Sequence, residues 1–354
     1  MATLQAQIEA WDGECVITRY DRPTGTWIFI AIHDRTLGMA MGGCRMKVYP
    51  EPVDGLRDAQ RLAAGMTLKW AGIEFPLGGG KAVLATPGPL TGSAREGLLL
   101  RFGDLVEALG GMYGTGVDLG TTPADMRVIG RRTDRVAGRP PEDGGAGDPG
   151  PWTALGVFEG MRAAAEQVFG SPDLEGRSVV VQGTGGVGRP LARKLAEAGA
   201  RVAVTDVLVE RARATADAVG GEWIDADVAY ETPCDIFAPC AVGAVMNRDT
   251  IPRLRCRVVA GSANNQLETD EDADRLADRG ILYVPDFIIN AGGAIAHGLL
   301  EFLDGSEDRV AARVREIGGT VGAVLEEADA RRITPLAAAV ERARSVLRER
   351  GTDR

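Results

Sequence analysis

Apolar positions in the first third of the chain alternate at first and then repeat at helical spacing. Residues 14–20 (ECVITRY) and 26–32 (TWIFIAI) read as β-strands joined by a turn at Arg22-Pro23-Thr24-Gly25. A third apolar stretch, residues 38–48, contains the pair Gly42-Gly43. From 53 to 71 the spacing becomes helical (Leu56, Ala59, Leu62, Ala63, Met66), which predicts a helix with Lys69 near its C-terminal end. Pro76 and Gly78-Gly79-Gly80 read as its break, and AVLA after Lys81 reads as a short strand. Residues 94–109 predict another amphipathic helix. Asp118 follows in the loop GGMYGTGVDLGTTPADM, where a catalytic role and a capping role are both open.

The segment 138–151, GRPPEDGGAGDPGP, has four prolines and five glycines and reads as an interdomain hinge. A helix is expected from about Thr153 to residue 165, with the Thr153 hydroxyl free to cap it or to meet a ligand. The stretch SVVVQGTGGVG then runs a β-branched strand into Gly183-x-Gly185-x-x-Gly188, followed by a helical pattern ending at Gly199. A second strand, RVAVTD, closes on Asp206. A strand, three spaced glycines, a helix start and an acid about 20 residues on together form the dinucleotide-binding fingerprint. Its glycines permit a tight turn and let a pyrophosphate reach backbone N–H groups at the positive helix end. Asp206 would accept ribose hydroxyls and repel a 2′-phosphate, so NAD is expected rather than NADP. Further strands read at DIFA, RVVA and LYV, each followed by small or polar residues. In a doubly wound sheet those ends face the cofactor crevice, which brings Asn264, Asn265 and Asn290 into consideration beside plain turn duty. Residues 306–350 are charged and helical, with a core stripe of Val310, Val314, Ile317, Val321, Val324 and Leu325.

Composition narrows the chemistry. The 354 residues carry 40 basic groups, of which only Lys47, Lys69, Lys81 and Lys194 are lysines. A primary amine can be deprotonated when buried or placed near positive charge, and a guanidinium cannot, so chemistry that needs an amine has few candidates. A formal net charge of −10, with no basic run, argues against nucleic-acid binding. Five scattered cysteines and two histidines, His33 and His297, make a disulfide framework, a metal site or a histidine triad unexpected. The opening MATLQAQIEAWDGE lacks the features of a signal peptide, and no apolar run is long enough to span a membrane, so a cytoplasmic protein is expected.

Several segments in order then carry a resemblance: WDGE, TRYDRPTG, Gly42-Gly43-x-Arg45, MTLK with Lys69, PLGGGK with Lys81, Tyr113 to Asp118, GVFEGM, QGTGGVG, CDIFAPCAVG, AGSANNQ and PDFIINAGGAI. With these the chain resembles the glutamate/leucine/phenylalanine/valine dehydrogenase superfamily, and is most similar to actinobacterial phenylalanine dehydrogenases. The resemblance implies an α/β fold of two domains with a cleft between them. Residues 1–139 plus 326–354 would form the substrate-binding, catalytic and oligomerisation domain, and residues 140–325 a Rossmann doubly wound NAD-binding domain. It implies NAD-dependent oxidative deamination of an L-amino acid to a 2-oxo acid and ammonia, in a homo-oligomer joined through its N-terminal strands.

By the same resemblance Lys81 is the general base, its pKa lowered by burial and nearby positive charge, and Asp118 partners it. Lys69, helped by Gly42 and Gly43, would bind the substrate carboxylate. Met41, Met66, Gly116, Val117, Ala294 and His297 would line the side-chain pocket. Gly183, Thr184, Gly185, Gly186, Val187, Gly188, Asp206, Thr153, Cys240, Ala241, Ala263, Asn264 and Asn290 would meet the cofactor, and no metal is implied. Met41 stands where glutamate-specific members have a lysine, which points to an apolar substrate. Gly116 matches the phenylalanine-type members, whereas DLGTT resembles the leucine and valine enzymes. His297 occupies a position that is apolar in relatives and either packs away or points into the pocket. Phenylalanine is the favoured substrate, with a branched-chain amino acid or a catalytically silent NAD-binding regulator as the alternatives.

Overall fold

The computed structural model describes residues 11–351. Its chain divides into two compact units: one of residues up to Gly147 with His297–Gly305 and the residues from Ala343, the other of Asp148–Ala296 with Ser306–Arg342. The crossing expected at 139/140 lies between Gly147 and Asp148, and the single return expected at 326 is replaced by the segments at 297–305 and from 343.

The first unit is built on β1 (Cys15–Asp21), β2 (Thr26–Asp34), β3 (Ala40–Met41), β4 (Cys44–Val48), α1 (Pro52–Gly72), β5 (Gly78–Thr86), α2 (Gly92–Ala108), β6 (Tyr113–Gly114) and α3 (Pro123–Ile129). The sheet runs β1-β2-β5-β3-β6, with β4 also paired to β5. Alternation along β2 decides its two faces. Ile28, Ile30 and Ile32 pack with Leu98 and Phe102 of α2 and Met126 of α3, while Phe29 and Ala31 pack with Ala59 and Ala63 of α1. The β1–β2 turn is held by Gly25 in a left-handed conformation (φ 68°) and by Arg101, which donates to the buried Asp21 carboxylate at 2.5 and 2.8 Å.

One expectation is corrected here. The triple glycine does not break the chain into a loop: Gly78, Gly79 and Gly80 are the first three residues of β5, all buried. Their purpose is close approach of the protein to itself. A Cβ on Gly79 would lie 1.9 Å from Thr67 Oγ1 and 2.4 Å from Thr67 N, so α1 lies directly on the strand. The boundary between the units falls inside the proline- and glycine-rich segment 138–151, whose residues up to Gly147 belong to the first unit.

The second unit contains α4 (Gly150–Phe169), β7 (Ser178–Gln182), α5 (Gly188–Glu197), β8 (Arg201–Thr205), α6 (Val209–Val219), β9 (Glu222–Trp223), β10 (Ile236–Pro239), β11 (Val258–Val259), α7 (Glu271–Asp278), β12 (Leu282–Tyr283) and α8 (Asp286–Ile289). It also takes the start of α9 (Gly292–Phe302), then α10 (Glu307–Arg331) and the start of α11 (Pro335–Gly351). Its sheet is parallel in the order β12-β11-β10-β7-β8-β9, the doubly wound arrangement in which the first strand lies at the centre and the chain reverses direction beside it. The apolar stripe of α10 is buried along its whole length, from Val310 to Leu325.

Candidate active site

Lys81 is the fourth residue of β5 and 6% exposed. Its ammonium donates to Asp118 Oδ2, and the other carboxylate oxygen accepts from Arg45 Nε at 3.1 Å and from the Leu119 N–H at 2.5 Å. Arg45 in turn donates to Asp58 at 2.9 Å, and Asp58 also accepts from Tyr49 Oη at 2.7 Å and Arg61 at 2.9 Å. Charges therefore alternate through Lys81, Asp118, Arg45, Asp58 and Arg61. Burial alone would raise the Asp118 pKa. The charges of Lys81 and Arg45, with the hydrogen bonds they make, override it and bring the pKa down to about 2. Asp118 is thus a carboxylate in any ordinary buffer, gripped by two cations, with its own N–H fixed on Thr121 Oγ1 at 3.0 Å.

Glycines set how closely the other segments approach this pair. A Cβ on Gly42 would meet Gly80 O at 1.8 Å and Met66 Cγ at 3.3 Å, and one on Gly43 would meet Val117 O at 2.5 Å and Asp118 Cβ at 2.9 Å. Tyr113 Oη donates to Gly42 O at 2.6 Å, and Trp70 Nε1 to Met41 O at 3.1 Å, which fixes the Met41-Gly42 backbone. Lys69 sits half-buried in the last turn of α1, as its spacing predicts. Around Gly116 the nearest atoms to a Cβ would be Ala137 O at 3.4 Å and Met41 Cε at 3.5 Å, ordinary contact distances. A Cβ on Gly138 (φ 78°) would lie 2.9 Å from Val117 Cγ2 and 3.3 Å from His297 Cε1. Met41, Gly116, Val117 and His297 are therefore strung along one wall through Ala137 and Gly138. Ala294 shares a face of α9 with His297, three residues before it.

In the second unit the fingerprint glycines divide by task. Gly183 has φ 97° and its N–H donates to Thr205 O at 2.7 Å, which makes the tight turn. Gly188, the first residue of α5, would drive a Cβ to 1.8 Å from Gly183 O. Gly185 has nothing within 4 Å of a Cβ, leaving the open approach that a phosphate needs, and Val187 caps the helix start. Ala241 packs on Gly183, and Cys240 Cβ lies 3.5 Å from a Cβ on Gly188. Asn290 Nδ2 donates to Asn264 Oδ1 at 2.9 Å and Ser262 O at 3.1 Å, beside the buried Ala263. Thr153 does not cap α4: it lies inside the first turn, donates to Pro149 O and accepts the Gly293 N–H, each at 3.1 Å.

Asp206 is buried, and its carboxylate accepts the Thr184 N–H (2.7 Å), Thr184 Oγ1 (3.0 Å), the Leu208 N–H (2.9 Å) and Arg211 (as close as 2.7 Å). Burial opposes its ionisation, and these donors overcome that, holding its pKa at about 2. The acceptor positions expected for ribose hydroxyls are taken by the chain's own donors. Room for the glycine-rich turn to meet a pyrophosphate is nonetheless present, so these residues fit a dinucleotide.

Two family models match. Residues 22–135 match the Glu/Leu/Phe/Val dehydrogenase dimerisation domain, and residues 144–209 and 204–344 match the Glutamate/Leucine/Phenylalanine/Valine dehydrogenase domain. The chain belongs to this dehydrogenase family. It is 46% identical over 288 residues to a leucine dehydrogenase of Geobacillus stearothermophilus, which covers 81% of this chain and 78% of that one. A phenylalanine dehydrogenase of Bacillus thermotolerans is 40% identical over 346 residues, covering 96% and 89%. Among solved structures, L-tryptophan dehydrogenase from Nostoc punctiforme superposes with a TM-score of 0.85 at 36% identity, covering 99% of this chain and all of that one. The superfamily expectation and the α/β two-domain fold are borne out, and the protein is an amino acid dehydrogenase, an oxidoreductase.

In this dehydrogenase, sequence reasoning missed three charged residues. Arg45 stands within the quoted Gly42-Gly43-x-Arg45 segment, but nothing in its spacing links it to Asp118, 73 residues on. Arg211 lies five residues after Asp206, in the first turn of α6, a spacing that could have flagged it. Glu301 is 163 residues from the backbone it binds and had no local signal.

Proposed function

We propose that this protein is an NAD-dependent dehydrogenase that deaminates an apolar L-amino acid to its 2-oxo acid and ammonia, reversibly, with phenylalanine favoured. The observation that carries the reading is the buried Lys81–Asp118 pair beside the Gly42-Gly43 link between β3 and β4. The Gly183–Gly188 turn would hold NAD, which would supply the acceptor for the hydride that leaves the substrate Cα. Lys69 is assigned to the substrate carboxylate. The substrate amine enters unprotonated, so its lone pair forms the iminium as the hydride leaves Cα. Neutral Lys81 takes a proton from the water that attacks the iminium carbon, returns it to the nitrogen of the carbinolamine, and takes the hydroxyl proton as the C–N bond breaks and ammonia leaves. Arg45 keeps Asp118 anionic, so Asp118 serves as an orienting charge and Lys81 as the group whose proton moves. Met41, Met66, Gly116, Val117, Ala294 and His297 are assigned to the substrate side chain, and the first unit as a whole to substrate binding and assembly. The second unit is assigned to NAD, with Thr184, Asp206, Cys240, Ala241, Ala263, Asn264 and Asn290 around it; Asp206 disfavours a 2′-phosphate.

A homo-oligomer is proposed through the N-terminal strands, because β1 is the edge strand of its sheet among the described residues. No helix among the described residues is long and apolar enough to cross a membrane, and we assign the enzyme to the cytoplasm.

A branched-chain amino acid is the second reading, favoured by the identity to leucine dehydrogenase. NADH production at alkaline pH against L-Phe, Tyr, Trp, Leu, Val, Ile and Glu decides between them. Phe above Leu supports the pocket as assigned, while Leu or Val above Phe keeps the mechanism and replaces the substrate. Lys81→Ala is expected to lower kcat by roughly 10³-fold or more with NADH binding unchanged, in line with the loss of a general base and its charge. Turnover in that variant near the wild-type rate would remove Lys81 from the chemistry.

A further inference from the structure

In the last turn of α9, four residues after His297, Glu301 has a side chain only 1% exposed. Its Oε1 accepts two backbone N–H groups, from Gly138 at 2.6 Å and from Ala146 at 3.1 Å. Its Oε2 makes no hydrogen bond and lies 3.7 Å from Arg139 Nε. One carboxylate therefore grips both ends of the proline- and glycine-rich segment 138–147. Between those ends the segment is closed by turn bonds, with the Asp143 and Gly145 N–H groups on Pro140 O, that of Gly144 on Pro141 O and that of Gly147 on Arg139 O, and its exposed tip is paired through Glu142 and Asp143 to Arg127 of α3. A stretch so rich in glycine has many conformations to lose, and a charged acceptor for two of its N–H groups is a strong restraint.

Both ends of the segment touch the same ring. Gly138 lies against His297 Cε1 and Val117 Cγ2, and Gly147 O lies 3.4 Å from His297 Nε2. Gly138 has no room for a side chain, so moving its backbone moves Val117 and the imidazole with it.

We propose that Glu301 is a positioning residue for substrate selection. By fixing Gly138 and Ala146 to the helix that carries His297, it sets the distance between His297 and Val117, and hence the width of the side-chain pocket. The inference rests on the assignment of His297 and Val117 to that pocket. It goes beyond that assignment in placing the control of selectivity on a residue that does not touch the substrate. A merely structural staple would affect all substrates alike; a width-setting one affects them by size.

The test is steady-state kinetics of the full enzyme with L-Phe, L-Leu and L-Val for Glu301→Gln, Glu301→Ala and His297→Ala, and for the Glu301→Ala/His297→Ala double variant. Glutamine keeps an acceptor oxygen for both N–H groups and is expected to retain the wild-type ranking of kcat/KM. Alanine is expected to raise KM for the preferred substrate about tenfold with kcat within about threefold, and to move the ratios among the three substrates toward one. In the His297→Ala background the further change in those ratios is expected to vanish, because the effect runs through the ring. Where alanine does not fold, Glu301→Asp, too short to reach both donors, is expected to shift the ratios in the same direction. Equal losses for all three substrates, or glutamine as damaging as alanine, would overturn the inference and leave the proposed function standing. A wild-type enzyme inactive on every amino acid would overturn both.

Discussion

The two units use the same residue, glycine, for opposite ends. In the first unit Gly42, Gly43, Gly79 and Gly80 are places where the protein fills the space itself: every one would set a Cβ within 3.0 Å of another segment. In the second unit Gly185 has nothing within 4 Å, and the space over its backbone is left vacant by the fold. Gly183 and Gly188, its neighbours in the fingerprint, are closed: one makes the turn at positive φ, the other brings α5 against it. A glycine-rich motif is therefore a statement about close approach, and only the surroundings decide whether what approaches is a ligand or the chain. Lys81 gains from the first kind. Its neighbours are packed so tightly that its ammonium and Asp118 are held together by the chain itself.

Substituting the closed glycines gives the largest expected effect. Gly79→Ala places a methyl group 1.9 Å from Thr67 Oγ1 and 2.4 Å from its backbone nitrogen, which only a shift of α1 could relieve. Overpacking of this kind is expected to cost roughly 3 kcal/mol or more, read as a lower denaturation midpoint of the first unit. A Gly79→Ala enzyme as stable as wild type would break the comparison, for the strand would then tolerate what its packing forbids. Gly185→Ala should do the reverse. Its stability is expected to stay within about 0.5 kcal/mol of wild type, while the Kd for NADH, measured by fluorescence titration, rises about tenfold. Unchanged NADH affinity would remove Gly185 from the phosphate approach.

Acid unfolding sharpens the contrast from the side of charge. Asp118 has its pKa lowered from 3.8 to about 2, so its ion pairs contribute stability above pH 3.8 that is lost as the pH falls through about 2. Asp118→Asn is expected to be less stable than wild type at neutral pH and to lose part of the pH dependence between those two values. An identical acid profile in the variant would mean that Lys81 and Arg45 do not hold the carboxylate as the geometry implies.

Much of this was legible in the residues themselves. The strand, turn and helix around Gly183, the helix that ends with Lys69, the hairpin at Gly25 and the core stripe of α10 all follow from local spacing. The Lys81–Asp118 pair was legible only through the family's motif order, since 37 residues and several elements separate them. What stayed hidden was set by contacts between distant segments. Gly78–Gly80 looked like a break because three glycines have no propensity for strand, and the packing of α1 that requires them is a tertiary fact. Nor does any local pattern in residues 138–147 announce the buried carboxylate that arrives from Glu301. The two-residue strands β11 and β12 were expected longer, as RVVA and LYV, because Ala260 and Val284 continue their apolar runs.

The smallest effect expected concerns Gly116, which stands between the two kinds of glycine. A Cβ there would meet Ala137 O at 3.4 Å, Met41 Cε at 3.5 Å and Ala137 Cβ at 3.7 Å, contacts that any core accepts. Gly116→Ala is therefore expected to change stability by less than about 0.5 kcal/mol, unlike Gly79→Ala. The methyl group does occupy volume beside Met41 and Val117, where the substrate side chain is assigned. One such group is worth about tenfold or somewhat more in discrimination, so the ratio of kcat/KM for L-Phe over L-Leu should fall by that factor. The loss should appear in KM for the larger substrate, with kcat for L-Leu unchanged, because Lys81 and Asp118 lie beyond Val117 and do not move. A Gly116→Ala enzyme with an unaltered ratio would show that the side chain lies elsewhere. A destabilised one would class Gly116 with the glycines that the protein packs for itself.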